Sequence, residues 1–182
     1  MTDQKQRAYS EWLVLRYQQG DRAAFDSLCR LWEKRFLVYA LRRLDNQDAS
    51  REATQETLIS ISKGLFRLAD PAAFPGWAFR ILERRCADQL RSIVRERQLF
   101  SEATVLQEPG SADNTENEIS VQKLMRDLDS RIRVVLQLHY LDGFSVNEIA
   151  EILELPPGTI KSRLYYARKL LQTRARQQNT ES

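Results

Sequence analysis

The sequence predicts an all-α protein: two small helical domains joined by a flexible acidic linker, the C-terminal domain being a helix-turn-helix. Three observations predict this architecture. Apolar residues recur at helical spacing in both halves of the 182-residue chain. Helix-breaking and acidic residues interrupt that spacing over residues 101–118. Two short amphipathic segments lie around a tight turn within residues 128–172.

Composition excludes several classes of protein. Apolar residues make up 42% and charged residues 29% of the chain, which is typical of a soluble folded protein and not of a disordered one. No apolar run approaches the ~20 residues of a membrane span, and the N-terminus lacks the apolar core of a signal peptide, so we expect a cytoplasmic protein. Cys29 and Cys86 are isolated and His139 is the one histidine, so we expect buried, reduced thiols, no metal and no cofactor.

The N-terminal half reads as a series of helices. Residues 11–19 predict a short first helix that ends at Gly20, and Asp21 can cap the next one. Apolar residues then recur from Arg22 over more than four turns, until an interruption at residues 45–47. Trp32 and Phe36 in this long helix are interpreted as core aromatics.

A third helix is predicted over residues 49–67. Its buried side is expected to hold Thr54, Leu58, Ile61, Leu65 and Leu68. Its outer side carries Arg51, Glu52, Gln55 and Glu56, which without further context indicate only a solvated surface.

A loop and a basic helix follow. Residues 68–76 cannot form a continuous helix if Pro71 and Pro75 each break one. The helix after them is expected to bury Trp77, Ile81, Leu82, Leu90 and Ile93. It also carries a dense basic set: Arg80, Arg84, Arg85, Arg91, Arg95 and Arg97.

The segment over residues 101–118 contains five acidic residues and no lysine or arginine. Its charge is opposite to that of the basic surfaces, so it could lie along a basic channel as a weak mimic of nucleic acid, or only keep the linker extended.

A supporting helix precedes the helix-turn-helix. Its apolar positions are Leu124, Leu128, Ile132, Val135 and Leu136. His139 falls at the edge of this apolar side and is expected to be packed or half-exposed and not catalytic. Asp142 and Gly143 then make a turn into Ser145.

The helix-turn-helix has clear boundaries in the sequence. Ser145 and Glu148 form a capping box that begins its first helix. Pro156 and Pro157 end that helix, and a second helix can start there because proline is accepted in a first turn.

The second helix has two different faces. Its buried stripe is expected to hold Ile160, Leu164, Ala167 and Leu171. The opposite face is basic and aromatic, and no acidic residue occurs between Glu154 and Glu181. A merely solvated face usually mixes both signs of charge, so this segment predicts DNA binding in the major groove.

The order of these parts resembles a bacterial RNA polymerase sigma factor of the small extracytoplasmic-function class. EIAEILELPPGTIKSRLYYARKLL looks like the region-four signature of that family, and GDRAAFDSL, ATQETL, FPGWAFRIL and DQLR look like pieces of region two. The resemblance implies region two over residues 1–98, a linker over 99–122, region four over 123–176 and a disordered tail over 177–182. It implies promoter-specific initiation of transcription, with a stand-alone helix-turn-helix regulator as the alternative.

The resemblance also implies two DNA sites. The minus-35 element would be read as duplex by Lys161, Ser162, Arg163, Tyr165, Tyr166 and Lys169. The minus-10 element would be taken as a melted strand by Leu68, Ala69 and Asp70 of the loop with Arg80, Arg84 and Arg91 of the basic helix.

The partners implied are the RNA polymerase core, promoter DNA and an anti-sigma factor, with a monomer when no partner is bound. Glu52, Gln55 and Glu56 would dock on the clamp helices of the largest polymerase subunit, and region four on the flap of the second subunit.

Four positions depart from the family pattern. Arg51 stands where an acidic residue is usual, and the neighbouring hydroxyls of Ser50, Thr54 and Thr57 suggest phosphorylation as a way to restore negative charge. In the basic helix, Arg84 replaces a common asparagine and Glu83 a common basic residue. Glu154 replaces the usual glycine of the turn, where a left-handed backbone would cost roughly 1 kcal/mol.

Two other classes of protein remain as alternatives. A conventional regulator would leave the loop and the second basic helix without a use, and no dimerisation helix is recognisable. A helical adaptor would bind DNA only weakly and without sequence preference. We expect no enzyme, because no paired acid and base, nucleophile motif, phosphate loop or metal ligand set occurs.

Overall fold

The computed structural model describes residues 3–101 and 129–178 of the chain, and these residues form helices and turns without a strand. The all-α prediction is therefore confirmed over this part. The chain divides into two compact units, Met1–Thr104 and Val105–Ser182. Most of the predicted linker, together with Leu124 and Leu128, lies outside the described residues, and the domain limits at residues 98, 122 and 176 stay predictions.

The described part of the first unit contains four α-helices. They are α1 (Asp3–Gln18), α2 (Arg22–Leu44), α3 (Gln47–Gly64) and α4 (Phe74–Ser101). Two short 3₁₀ turns, Leu65–Arg67 and Pro71–Ala73, connect α3 to α4.

Three predicted boundaries were wrong. The first helix begins at Asp3 instead of residue 11, and the third ends at Gly64 before it tightens into a 3₁₀ turn. The basic helix begins at Phe74, so Pro75 lies in its first turn. Proline is accepted there because a first-turn N–H has no intrahelical acceptor, and the predicted loop was therefore too long.

The helix starts follow from local caps. Asp21 accepts a hydrogen bond from the Ala23 N–H at 3.1 Å, which confirms it as the cap of α2. The chain then reverses at Asp45, whose φ is 50°, and Asn46 caps α3 through the Ala49 N–H at 3.0 Å. The interruption predicted near residues 45–47 is confirmed at Asp45 and Asn46, whereas Gln47 is already the first residue of α3.

An aromatic cluster between α2 and α4 forms the centre of the first unit. The ring of Phe79 meets Tyr39, Phe36 and Trp32 edge-on, with centroid distances of 5.2, 5.6 and 6.2 Å. Trp32 also donates its indole N–H to Ser10 of α1 at 2.8 Å. The core assignment of Trp32 and Phe36 is confirmed, whereas Phe79 was not among the predicted core residues.

A polar cluster beside the rings joins the same two helices. The Glu83 carboxylate accepts hydrogen bonds from the Tyr39 hydroxyl at 2.7 Å and from the Arg43 guanidinium at 3.1 Å. The Glu83 and Arg43 side chains are only 13% and 16% exposed. Burial and the nearby carboxylate hold the pKa of Tyr39 well above its usual value, so its hydroxyl remains a donor.

The second unit continues from α5 (Ser130–Leu136) into a π-helical turn, Gln137–Leu141. Its helix-turn-helix consists of α6 (Val146–Leu153) and α7 (Pro157–Gln178). The His139 ring is half-buried and its Nδ1 lies 2.9 Å from the Phe144 carbonyl oxygen, which agrees with a packed role. Asp142 and Gly143 turn the chain into α6, with Gly143 at a φ of 72°.

The turn between α6 and α7 forms as predicted. Ser145 and Glu148 make the reciprocal capping box, with distances of 3.3 and 2.8 Å. Glu154 ends α6 in the left-handed region at a φ of 54°. α7 begins directly at Pro157 and buries Ile160, Leu164 and Ala167, while the side chain of Leu171 is outside the described part.

The two thiols should react slowly in the native protein. Burial raises the pKa of Cys86 from its usual 9.0 to about 12, and the pKa of Cys29 to about 11. A raised pKa lowers the thiolate fraction at pH 8, and the thiolate is the reactive species. We expect alkylation at pH 8, followed by peptide mass spectrometry, to be roughly 100-fold slower at Cys29 than in urea, and slower still at Cys86. Equal rates in native and unfolded protein at Cys86 would contradict this.

The left-handed residue of the turn gives a stability prediction. A left-handed non-glycine residue costs about 1–2 kcal/mol of stability, which glycine would relieve. Glycine also raises the conformational entropy of the unfolded chain, and this offsets about 0.4–1 kcal/mol of the gain. Glu154→Gly should therefore slow amide hydrogen exchange in α6 and α7 by roughly 2- to 5-fold. Glu151→Gly, at an exposed helical position of α6, is the control and should speed exchange. Faster exchange in Glu154→Gly would refute the strain argument.

Candidate nucleic-acid interface

The outer face of α7 is both basic and aromatic. Tyr165 and Tyr166 are 68% and 52% exposed, which is unusual for large aromatic side chains on a helix without a partner. Three polar residues of this face are also exposed: Lys161, Ser162 and Lys169. Arg163 is half-buried. Four of the six predicted minus-35 residues lie opposite the buried stripe: Ser162, Tyr165, Tyr166 and Lys169. Lys161 and half-buried Arg163 flank this group, one on each side.

The electrostatics of α7 favour an anionic partner. No acidic side chain occurs anywhere in its sequence, so no carboxylate on this helix neutralises the basic face. The Ser162 hydroxyl donates to the Thr159 carbonyl at 2.9 Å, which leaves its oxygen able to accept. Lysine and arginine contact phosphates or base edges, and tyrosine adds hydrogen bonds and stacking.

The predicted capture loop of the first unit, residues 68–70, lies between the two 3₁₀ turns. Leu68 has an extended backbone and a half-buried side chain, whereas Ala69 and Asp70 are exposed. Asp70 also caps the second turn, because its Oδ1 accepts the Ala72 N–H at 3.0 Å. The loop is thus a short, well-defined segment with one small exposed side chain at its middle.

The basic helix α4 separates its arginines into two sets. Arg80, Arg84 and Arg91 are exposed, and their spacing of four and seven residues places them on one face. Arg91 is paired with Asp88 on the same helix. Arg85 instead reaches α3, where it donates to Ser60 Oγ at 3.0 Å and lies 3.7 Å from the Glu56 carboxylate. The side chain of Arg97 lies outside the described part of the chain.

The predicted polymerase-docking residues lie on the outer side of α3. Glu52 and Gln55 are exposed, while Glu56 is half-buried and engaged with Arg85. An adjoining cleft of about 390 Å³ runs between α2 and α3. Its lining is mixed in character: Glu33, Leu37, Arg51, Thr54, Gln55 and Leu58.

The structure contradicts the phosphorylation hypothesis. Ser50 and Thr57 are fully buried and Thr54 is 5% exposed. Each hydroxyl donates back to the carbonyl four residues earlier, at 2.6 to 2.8 Å. A kinase could not reach these oxygens without unfolding α3, so Arg51 is not compensated in that way.

Several residues near these surfaces were not predicted. Gln18 of α1 donates to the Leu65 carbonyl before the capture loop and to the Leu68 carbonyl within it, and Glu83 bonds the basic helix to α2. Phe66, just before the loop, is 65% exposed. Gln18 and Glu83 act across 40 or more residues, and no local spacing signals such contacts.

Two features are absent from the described residues. No group of three or more histidine, cysteine, aspartate or glutamate side chains there could hold a metal ion. None of the described helices is long and apolar enough to cross a membrane.

Two family models match the chain in the order of its units. Sigma-70 region 2 matches residues 28–96, and Sigma-70, region 4 matches residues 118–171, so together they span about two thirds of the chain. These are the segments that hold the basic helix and the helix-turn-helix.

Two bacterial sigma factors match this chain over most of their length. The chain is 25% identical over 173 residues to the RNA polymerase sigma-H factor of Pseudomonas aeruginosa, covering 87% of this chain and 90% of that one. It is 27% identical over 173 residues to the ECF RNA polymerase sigma-E factor of Escherichia coli, with the same coverage of 87% and 90%.

Solved structures show the same fold. RpoE of Bartonella quintana, in complex with the anti-sigma factor NepR, matches with a TM-score of 0.69 and 24% identity over 82% of this chain and 94% of that one. CnrH, in complex with the cytosolic domain of CnrY, matches with a TM-score of 0.65 and 21% identity over 91% and 96%. The chain belongs to the extracytoplasmic-function class of sigma-70 factors, the proteins that direct promoter-specific initiation of transcription.

Proposed function

We propose that the two units of this sigma factor divide promoter recognition between them. In this proposal α7 reads the minus-35 element as duplex DNA, and the capture loop with the outer face of α4 takes the minus-10 element as a melted strand. The observation that carries the proposal is the presence of two cationic faces in two separate compact units.

The shape and chemistry of α7 support the first half. A recognition helix reads bases through its N-terminal turns, and Lys161, Ser162 and Tyr165 lie in the first turns of α7. Tyr166 and Lys169 extend the face toward the C-terminus, where contacts with phosphate set the register of the helix on the duplex. Arg163 is half-buried at the edge of the face and would reach the backbone with its guanidinium.

The first unit is suited to a single strand. Arg80, Arg84 and Arg91 lie along one face of α4, where positive charge can follow a phosphate backbone, although Asp88 pairs with Arg91 on the same helix. The capture loop presents backbone atoms and the one small side chain of Ala69, which leaves room for an unstacked base there. Exposed Phe66 precedes the loop and could add a stacking surface.

The outer side of α3 would dock on the polymerase core. Glu52 and Gln55 are exposed for contact with the clamp helices of the largest subunit, and the adjoining cleft offers a place for a protruding side chain. Glu56 would contribute less, because it already faces Arg85. The second unit would bind the flap of the second subunit.

Other properties follow from this role. The protein would act in the cytoplasm as a non-enzymatic initiation factor, without a metal or cofactor, and as a monomer when no partner is bound. Two solved structural relatives are held by other proteins, one of them an anti-sigma factor, so we include an anti-sigma factor among the partners.

The division of labour can be tested by transcription in vitro with core polymerase. Lys161→Ala with Tyr165→Ala should lower initiation by roughly 10- to 100-fold on both duplex and premelted promoters, because minus-35 contacts are lost in both. Arg80→Ala with Arg84→Ala should be more defective on duplex DNA than on a template premelted at the minus-10 element, because premelting removes the free energy of opening base pairs although the strand contacts are still lost. Its recovery should therefore be partial.

Arg42→Ala is the matched control, because it removes an exposed positive charge outside both surfaces. It should leave initiation unchanged on every template. Recovery of the α7 variant on premelted DNA, or equal behaviour of the two double variants, would contradict the division of labour.

The docking surface gives a separate prediction. If Arg51 weakens an otherwise acidic patch, Arg51→Glu should tighten binding to core polymerase several-fold at low salt, with less effect as salt rises. Fluorescence titration of labelled protein with core polymerase measures this affinity. In that titration Glu52→Lys should weaken binding. Weaker binding by Arg51→Glu, with unchanged thermal unfolding, would show that the arginine itself contacts the polymerase.

A further inference from the structure

The side chain of Gln18 joins α1 to the capture loop. Its amide Nε2 donates to the Leu68 carbonyl at 2.8 Å and to the Leu65 carbonyl at 3.2 Å. These acceptors lie 50 and 47 residues away in sequence. A glutamine amide has two N–H donors, so both are directed at the entrance of the loop.

Gln18 is held in place by the way α1 ends. Gly20, with a φ of 99°, donates its N–H to the Tyr17 carbonyl at 2.9 Å, and the Asp21 N–H bonds to the Arg16 carbonyl at 3.0 Å. This pair of bonds is a Schellman motif, which requires a left-handed residue that glycine adopts without strain. The Arg16 guanidinium then closes the corner on the Asp21 carboxylate at 3.0 Å. The last helical residue of α1 is therefore fixed against the loop.

Backbone hydrogen bonds also fix the capture loop at its entrance and at its exit. The Leu68 N–H bonds to the Leu65 carbonyl at 3.2 Å, and the Ala73 N–H bonds to the Asp70 carbonyl at 3.1 Å. Asp70 adds its side-chain cap on Ala72. Ala69 thus lies between an entrance held by Gln18 and an exit held by Asp70, and it is exposed.

We infer that Gln18 is a positioning residue that sets the conformation of the capture loop and, through it, the base preference at the minus-10 element. The inference rests on the proposed function of residues 68–70. Gln18 does not need to touch DNA, because it acts through the carbonyl of Leu68. Loss of its N–H donors would leave that carbonyl without this partner and allow the backbone beside Ala69 to rotate.

The test uses the full chain with core polymerase on a promoter set varied at each minus-10 position, with permanganate footprinting of the open complex. Gln18→Met keeps a similar length but has no donor. We expect open-complex formation to fall roughly 10-fold on the preferred promoter and the base preference to flatten. Affinity for core polymerase and dependence on the minus-35 element should not change.

Gln19→Met is the matched control, because Gln19 is exposed at the adjacent position, and it should keep the wild-type profile. Gln18→Glu has the size of glutamine and no N–H donor, so it should flatten the profile as well and replaces Gln18→Met if that variant unfolds. An unchanged base preference in a folded Gln18→Met variant would overturn the inference. So would an equal loss of core affinity, which would indicate a general structural role.

A substitution in the loop tests base capture by residues 68–70 separately from the positioning role of Gln18. Ala69→Asp should alter the minus-10 preference if residues 68–70 capture the base. A changed profile in Ala69→Asp with none in Gln18→Met would overturn the role of Gln18 and support the capture loop. No change in either variant would overturn both.

Discussion

The packing of Phe79 against three aromatic rings of α2 fixes the orientation of α4 in the first unit. Phe79 is fully buried, and replacing such a residue with alanine typically costs about 3–5 kcal/mol. Because a helix turns by about 100° per residue, the burial of Phe79 also sets the direction of its neighbour Arg80. Arg84 and Arg91 follow on the same side, so the aromatic cluster determines which face of α4 is cationic.

Ion pairs inside the first unit also help to determine which face of α4 is cationic. Glu83 pairs with Arg43 and Tyr39 on one side of α4, and Arg85 pairs with Glu56 on the other. Removing one member of a nearly buried pair is costly because it leaves the other charge without a partner. Glu83 thus faces Tyr39 and Arg43 of α2, and it brings no negative charge to the outer face.

The sequence predicted the second unit better than the first. Ser145, Pro156 and Pro157 act within a few residues of themselves, so the capping box and the turn could be placed before the structure was known. The loop before the basic helix was predicted at the right place but was too long, because Pro75 stops a helix only from its interior and is accepted in a first turn. The central role of Phe79 and the inward direction of Arg85 depend on contacts between distant helices, which periodicity along one helix does not report.

If residues 68–70 capture a minus-10 base as proposed, the fixed ends of this loop affect the thermodynamics of strand separation. Ordering the backbone of one residue costs about 1–2 kcal/mol in conformational entropy, so a three-residue loop that became ordered only on binding would lose roughly 3–6 kcal/mol. Opening one base pair costs a few kcal/mol, a similar amount. Folding has already ordered residues 68–70. In the proposed function, the free energy gained when a base enters the loop would therefore remain available to keep the DNA strands apart.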